Sequence, residues 1–146
     1  MVRPPPAIVK IREELDVFEA RWSVQRIASA VGFSSRDAGE LVLVTSELAT
    51  NILKFAPPGA IAAEQIDSEQ HGIGIRITAS DSGAPLEDLE RILASSSQVG
   101  VPREWTGRGL GGGLGAVVRF TDALRCVPSA GGKQMIADRY LRRPRR

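Results

Sequence analysis

The feature that most limits how this chain can fold is a helix-period run that stops at Pro57-Pro58-Gly59 and gives way at once to strand-period residues. At about 100° per residue, Leu41, Val44, Thr45, Leu48, Ile52 and Phe55 make one apolar stripe. Ser34 or Ser35 supplies an N-cap, and the two prolines cannot continue the helix. Within this helix, Glu47-Leu48-Ala49-Thr50-Asn51-Ile52-Leu53-Lys54 sets Glu47, Asn51 and Lys54 together just beside the stripe, at the rim of the core that the stripe builds. A carboxylate and a carboxamide one turn apart can hold a cation, a water or a hydroxyl between them. Lys54 either neutralises an anion nearby or is a surface lysine lying along apolar neighbours. Taken alone, the octapeptide also reads as an amphipathic helix with a wet flank, since polar flanks are the norm.

The rest of the chain supplies what this helix packs on. Arg3 to Pro6 reads as a stiff leader, and Ala7-Ile8-Val9-Lys10-Ile11 as an edge strand. Asp16 is positioned to cap a helix in which Val17, Ala20, Val24, Ile27, Ala28 and Val31 recur at helical spacing until Gly32. Beyond Gly59 the period is two: Ile61, Ala63 and Gln65 alternate with Ala62, Glu64 and Ile66. A turn through Glu69-Gln70-His71-Gly72 leads to Ile73, Ile75 and Ile77 in a hairpin partner, with His71 solvated at the turn. Leu86 to Leu93 suits a short helix, and from Ala94 to Arg108 no apolar period survives, so that segment is either a functional lid or a disordered loop. Leu114, Val117, Val118 and Phe120 predict a further helix, and Ala123–Val127 with Lys133–Tyr140 a closing hairpin. This order implies a single domain of the α/β class, a two-layer α/β sandwich whose mixed, mostly antiparallel sheet is covered on one face by helices.

Composition excludes several functions. At 146 residues, one domain can bury about two thirds of its unfolded surface. The pI near 9.1 suggests a nucleic-acid partner, yet the net charge is only +2, and Arg142, Arg143, Arg145 and Arg146 outweigh it. The basicity is therefore a local tail over 142–146. Aromatic residues are scarce at 5% and are not interleaved with basic ones, which argues against a base-stacking platform. One cysteine, Cys126, and one histidine, His71, cannot assemble a disulfide framework or a Cys/His zinc site, and Cys126 is expected as a buried, inert thiol. No apolar run nears the ~20 residues of a membrane span, and the N-terminus lacks a signal-peptide core, so the expectation is a cytoplasmic protein without a membrane or nucleic-acid partner.

Two later stretches carry chemistry. Asp81-Ser82-Gly83 follows the strand Ile73 to Ala79, where a carboxylate delivered into a turn either accepts a hydrogen bond from a ligand amino group or closes the strand as an Asx-turn. Gly107-Arg108-Gly109-Leu110-Gly111-Gly112-Gly113-Leu114-Gly115 holds six glycines in nine residues directly before a helix. A flexible linker has no reason to open into Ala116-Val117-Val118, whereas bare backbone amides before a helix make an anion site, so the stretch is read as a phosphate cradle. It is not a Walker A loop, because no Gly-Lys-Ser/Thr follows, and no strand leads into it as a dinucleotide fingerprint requires.

In order, Glu47-x-x-x-Asn51, Asp81-x-Gly83 and Gly109-x-Gly111-x-Gly113-Leu114 resemble the N, G1 and G2 boxes of the GHKL ATPase superfamily, the Bergerat ATP-binding fold. Ser46-Glu47-Leu48-Ala49-x-Asn51-Ile52, Ala63-Glu64-Gln65-Ile66 and Gly109-Leu110-Gly111-x-Gly113-Leu114 narrow the resemblance to the small anti-sigma and switch serine kinases of bacterial partner-switching modules, of the RsbT type. It spans about Ile8 to Leu141. The resemblance implies an ATP- and Mg²⁺-dependent serine/threonine kinase acting on a STAS-domain antagonist or scaffold in a stress or sigma-factor pathway. A PP2C-type phosphatase or a sigma factor would be the second partner. It implies that Asn51 ligates the metal, that Asp81 takes the adenine amino group with Gly83 letting the base approach, and that Gly109, Leu110, Gly111, Gly112, Gly113 and Leu114 wrap the phosphates. Glu47 would orient or deprotonate the attacking hydroxyl, and Lys54 would face the phosphate charge. That division of labour suits phosphoryl transfer, which needs positioning, a metal and charge neutralisation more than covalent chemistry. Pro85 stands in place of the second G1 glycine, and the interval from Asp81 to Gly109, the expected ATP lid over 94–108 included, is long for the type. Its Arg103, Trp105 and Arg108 either cap the γ-phosphate, bind a partner or are plain loop. The rival function is a nucleotide-holding regulator without catalysis of its own. A sensor histidine kinase lacks support, because no phosphoacceptor dimer helix accompanies the body.

Overall fold

The computed structural model describes residues 2–55, 57–83 and 114–144. Strand β1 (Ala7–Ile11) is followed by helices α1 (Glu14–Val31) and α2 (Ser35–Phe55) and by strands β2 (Gly59–Ser68) and β3 (Gly72–Asp81). A short helix α3 (Gly115–Phe120) then leads into strands β4 (Ala123–Ser129) and β5 (Gly132–Tyr140). The sheet order is β1-β2-β3-β5-β4, and every pairing is antiparallel, at the far end of the mixed but mostly antiparallel sheet that the sequence predicts.

Local chemistry explains the element boundaries. Asp16 works one turn further in than expected. Helix α1 starts at Glu14 with Glu13 as N-cap, and the Asp16 carboxylate reaches back to accept the Arg12 and Glu13 N–H groups at 2.8 and 3.0 Å, one half of a capping box. Gly32 ends the helix at φ 121°, a conformation that side chains with a Cβ rarely adopt. The Ser34 hydroxyl accepts the Asp37 N–H at 3.1 Å at the start of α2.

The core lies between the helices and one face of the sheet. Leu41, Val44, Thr45, Leu48 and Ile52 of the stripe are buried, whereas Phe55, at the helix end, is 51% exposed. Period-2 alternation supplies the other wall: Val9, Ile11, Ile61, Ala63, Ile75, Ile77, Ala79, Met135 and Ala137 are all buried. Ile73 begins that alternation on β3 but is 40% exposed. His71 is part-buried beside Tyr140, with ring centroids 4.9 Å apart, and Cys126 is a free thiol of intermediate exposure against the core.

The inner face of the sheet is apolar in the middle and charged at both ends. At one end Arg139, 3% exposed, pairs with Asp37 at 2.9 Å and Glu40 at 3.2 Å on the first turns of α2, and donates to the Phe120 carbonyl at 3.2 Å. This cluster fixes the start of α2, and the tail of α3, against β5. The opposite end carries Asp81 and Lys133.

Candidate active site

Asp81 is the last inner-face residue of β3, two positions past Ala79, and Lys133 is its direct cross-strand partner on β5. The two strands come close at this end: a Cβ at Gly132 would overlap the Asp81 carbonyl oxygen. The Lys133 ammonium stands 2.9 Å from Asp81 Oδ1, with the two side chains 9% and 8% exposed. The same oxygen accepts the Gly83 N–H at 2.8 Å, so the Asx-turn expected as one alternative is present, and Gly83 is held by Asp81 itself.

Above this pair passes the C-terminal half of α2. A cavity there is lined by Leu48, Asn51 and Phe55 of α2, Asp81 of β3, Leu114 before α3, and Lys133 and Met135 of β5. Asn51 and Asp81, thirty residues apart, and Leu114 beyond them are thus brought to one place, each from a different sequence box. Lys54 lies on the exposed side of α2 and is not among the lining residues. Gly109, Leu110, Gly111, Gly112 and Gly113, the expected lid over 94–108, Pro85 and the predicted helix Leu86–Leu93 lie outside the described residues.

Glu47 is one turn back along α2, and its carboxylate is tied to the start of α3. Oε1 accepts the Ala116 N–H at 3.2 Å and Oε2 the Val117 N–H at 3.0 Å. Helix α3 has no side-chain cap of its own at Leu114, so Glu47 satisfies two of its orphan amides from across the fold. Burial raises the Glu47 pKa above the usual glutamate value, and the two backbone hydrogen bonds only partly oppose that rise. A carboxylate with raised basicity, each oxygen accepting one hydrogen bond among the described residues, is chemically able to take a proton from a hydroxyl.

The sequence reading did not single out Lys133 or Met135. The signal was available in principle, because Lys133, Met135, Ala137 and Arg139 alternate along β5. That alternation becomes informative only once β5 is known to pair with β3 and to face α2. Among the described residues no cluster of three or more His, Cys, Asp or Glu could hold a metal, and Asn51 offers the cavity one amide oxygen of the kind that could ligate one. No described helix is long and apolar enough to cross a membrane.

Comparison with known proteins gives this geometry its context. No family model matches the chain. Two solved structures share the fold: the RsbU and RsbW domains of a Mycobacterium tuberculosis protein, at TM-score 0.59 and 17% identity over 98% of this chain and 34% of that one, and the SiaB-SiaC complex of Pseudomonas aeruginosa, at TM-score 0.54 and 14% identity over 92% and 88%. The chain is also 31% identical to the serine/threonine-protein kinase RsbT of Bacillus subtilis (strain 168), over 92% of its own length and 96% of that protein. Likeness of that degree, carried through more than nine-tenths of both chains and not through one box alone, makes this chain a member of the RsbT family of serine/threonine-protein kinases.

Proposed function

We propose that the cavity between α2, β3 and β5 receives the base of ATP, and that the kinase passes the γ-phosphoryl group to a serine or threonine of a STAS-domain protein in a cytoplasmic partner-switching pathway. The observation that carries this reading is the convergence of Asn51, Asp81 and Leu114 from three separate sequence boxes on one cavity. Its walls suit a purine, with Leu48, Leu114 and Met135 against the ring faces and Asp81 to accept the amino group. The half-exposed Phe55 is the wall with most freedom to give way as the base enters. The glycines from Gly109 to Gly113 would then wrap the phosphates, and Lys54 would approach them from the exposed side of α2.

The residues present fit a magnesium ion of the kind kinases use. Asn51 offers one neutral oxygen, and phosphates and waters would complete the shell, which is how this ion is commonly held. When bound, the ion would neutralise charge on the transferring phosphoryl group. The chain's own contribution is to orient the nucleotide by Asp81, to fix the metal-binding end by Asn51, and to accept the hydroxyl proton on Glu47.

A second reading has one observation in its favour. Glu47 is engaged by two α3 amides, as a structural residue would be, and a nucleotide-holding regulator of a sigma factor or a PP2C-type phosphatase needs no base. Incubating the protein with γ-labelled ATP, Mg²⁺ and STAS-domain proteins encoded beside it separates the two. Label transferred to a serine or threonine supports the kinase on a STAS substrate. Nucleotide binding without transfer to any of them favours the regulator.

A further inference from the structure

Lys133 has more hydrogen-bonding capacity than its surroundings use. An ammonium carries three donors, and among the described residues Nζ meets one acceptor, Asp81 Oδ1 at 2.9 Å. On the carboxylate the imbalance is reversed. Oδ1 serves both Lys133 and the Gly83 N–H, while Oδ2 accepts no hydrogen bond from the described residues. Both side chains are nine-tenths buried and both line the same cavity, among Leu48, Leu114 and Met135. A buried ion pair with spare donors and a spare acceptor is a poor device for stability alone, since apolar side chains of similar size serve as well or better. It makes sense as a recognition pair, with an adjacent donor and acceptor fixed in register by the β3–β5 ladder.

We infer that Lys133 reads the nucleobase together with Asp81: Nζ donates to the ring nitrogen N1 of adenine while Asp81 Oδ2 accepts a hydrogen of the neighbouring 6-amino group. This rests on the cavity being the nucleotide site. On the Watson–Crick edge of adenine an acceptor and a donor lie side by side, the complement of what the two side chains present. The Lys133–Asp81 contact itself is kept, so the base is met by groups already in place, and little ordering remains for binding to accomplish.

The test removes the acceptor from the ligand and leaves the protein intact. Calorimetry on the native chain with Mg²⁺ compares ATP, 1-deaza-ATP, which has a C–H in place of N1, and 7-deaza-ATP, which keeps N1 and serves as control. Loss of a charge-assisted hydrogen bond in a dry site should weaken 1-deaza-ATP by about tenfold or more, with 7-deaza-ATP close to ATP. In Lys133→Met, of similar length but without a donor, ATP and 1-deaza-ATP should bind alike. Lys133→Gln, which keeps an N–H donor and leaves Asp81 a neutral partner, backs up that comparison should the methionine variant fold poorly, and should retain part of the discrimination. Equal affinity of the native chain for ATP and 1-deaza-ATP overturns the role of Lys133 and leaves the nucleotide site standing. Discrimination that persists undiminished in Lys133→Met assigns N1 to another group and also overturns it. A native chain that binds none of the three overturns the nucleotide site itself.

Discussion

Replacing Glu47 by glutamine separates its observed attachment to α3 from its proposed role as a base. In the native chain its two carboxylate oxygens accept the Ala116 and Val117 N–H groups at 3.2 and 3.0 Å. Glutamine keeps one carbonyl oxygen and turns an NH₂ group toward the other amide, so one charge-assisted hydrogen bond of about 1.5–3 kcal/mol is lost. Part of that is offset, because the neutral amide no longer buries a charge. Because burial outweighs the two hydrogen bonds in setting the Glu47 pKa, that offset is large, and the net change in stability stays within about 2 kcal/mol, or roughly 8 °C in Tm for a chain of this size. Against a typical total of ~5–15 kcal/mol, nearly all molecules remain folded well below the midpoint. A residue that only capped α3 would therefore leave the transfer rate unchanged at low temperature. A positioned base would not: phosphoryl transfer should fall by about 10²–10⁴, with Mg·ATP affinity within a factor of a few. The pH dependence gives an independent check. Burial holds the folded-state pKa of Glu47 above its unfolded value, so protonation favours the fold. Its stabilising contribution is complete below the unfolded pKa and is lost as pH rises through the raised folded one; Glu47→Gln should flatten that part of the profile. The acid limb of the transfer rate should likewise sit higher than an ordinary glutamate gives. Thermal melts across pH, calorimetry and single-turnover transfer measure all three quantities. Parental transfer by a folded, nucleotide-binding Glu47→Gln protein would refute the argument for a base.

Other positions give sharper, simpler expectations. Asn51→Ala should abolish Mg²⁺-dependent nucleotide binding while leaving the melt near that of the parent, because Asn51 lines the cavity and is only half-buried; calorimetry with and without the metal checks it. Asp81→Asn loses the full charge that faces the cavity and should weaken ATP by about 1.5–3 kcal/mol, read by the same titration. Arg139→Met removes the buried partner of Asp37 and Glu40 and the donor to the Phe120 carbonyl; since both carboxylates keep access to water, the cost in chemical denaturation should be about 1–3 kcal/mol, still above that of a surface pair. Gly132→Ala drives a methyl group into the Asp81 carbonyl oxygen, so stability should drop by about 1–3 kcal/mol or more and nucleotide affinity should fall with it.

Much of the architecture was legible in the residues because it rests on local rules. The stripe from Leu41 to Ile52, the stop at Pro57-Pro58, the Gly32 terminus and the two hairpins follow from period, capping and turn chemistry, each decided within about a dozen residues. The boxes around Asn51, Asp81 and Leu114 were visible for the same reason, as short patterns whose order carries meaning. Where local signals compete, the structure had to choose. Asp16 moved from cap to third helical position because a carboxylate there reaches two free amides at once, and Phe55 left the buried stripe because it stands in the last turn of α2, on the wall of a cavity and not under a packed neighbour.

What the sequence could not determine is which distant groups complete each other. The identity of residue 133 is plain in the chain, but its meaning depends on β5 inserting between β3 and β4, a pairing set by burial across the whole sheet and not by any neighbour in sequence. Only that register puts an ammonium against Asp81. Glu47 is a similar case: helical spacing places it one turn from Asn51, yet its attachment to α3 depends on the chain returning about seventy residues later to lay two bare amides beside it. Sequence thus determined the elements and the kinds of chemistry they carry. Tertiary structure decided the pairings, because the free energy of a buried charge or an uncapped amide is settled only by what the rest of the fold brings within reach.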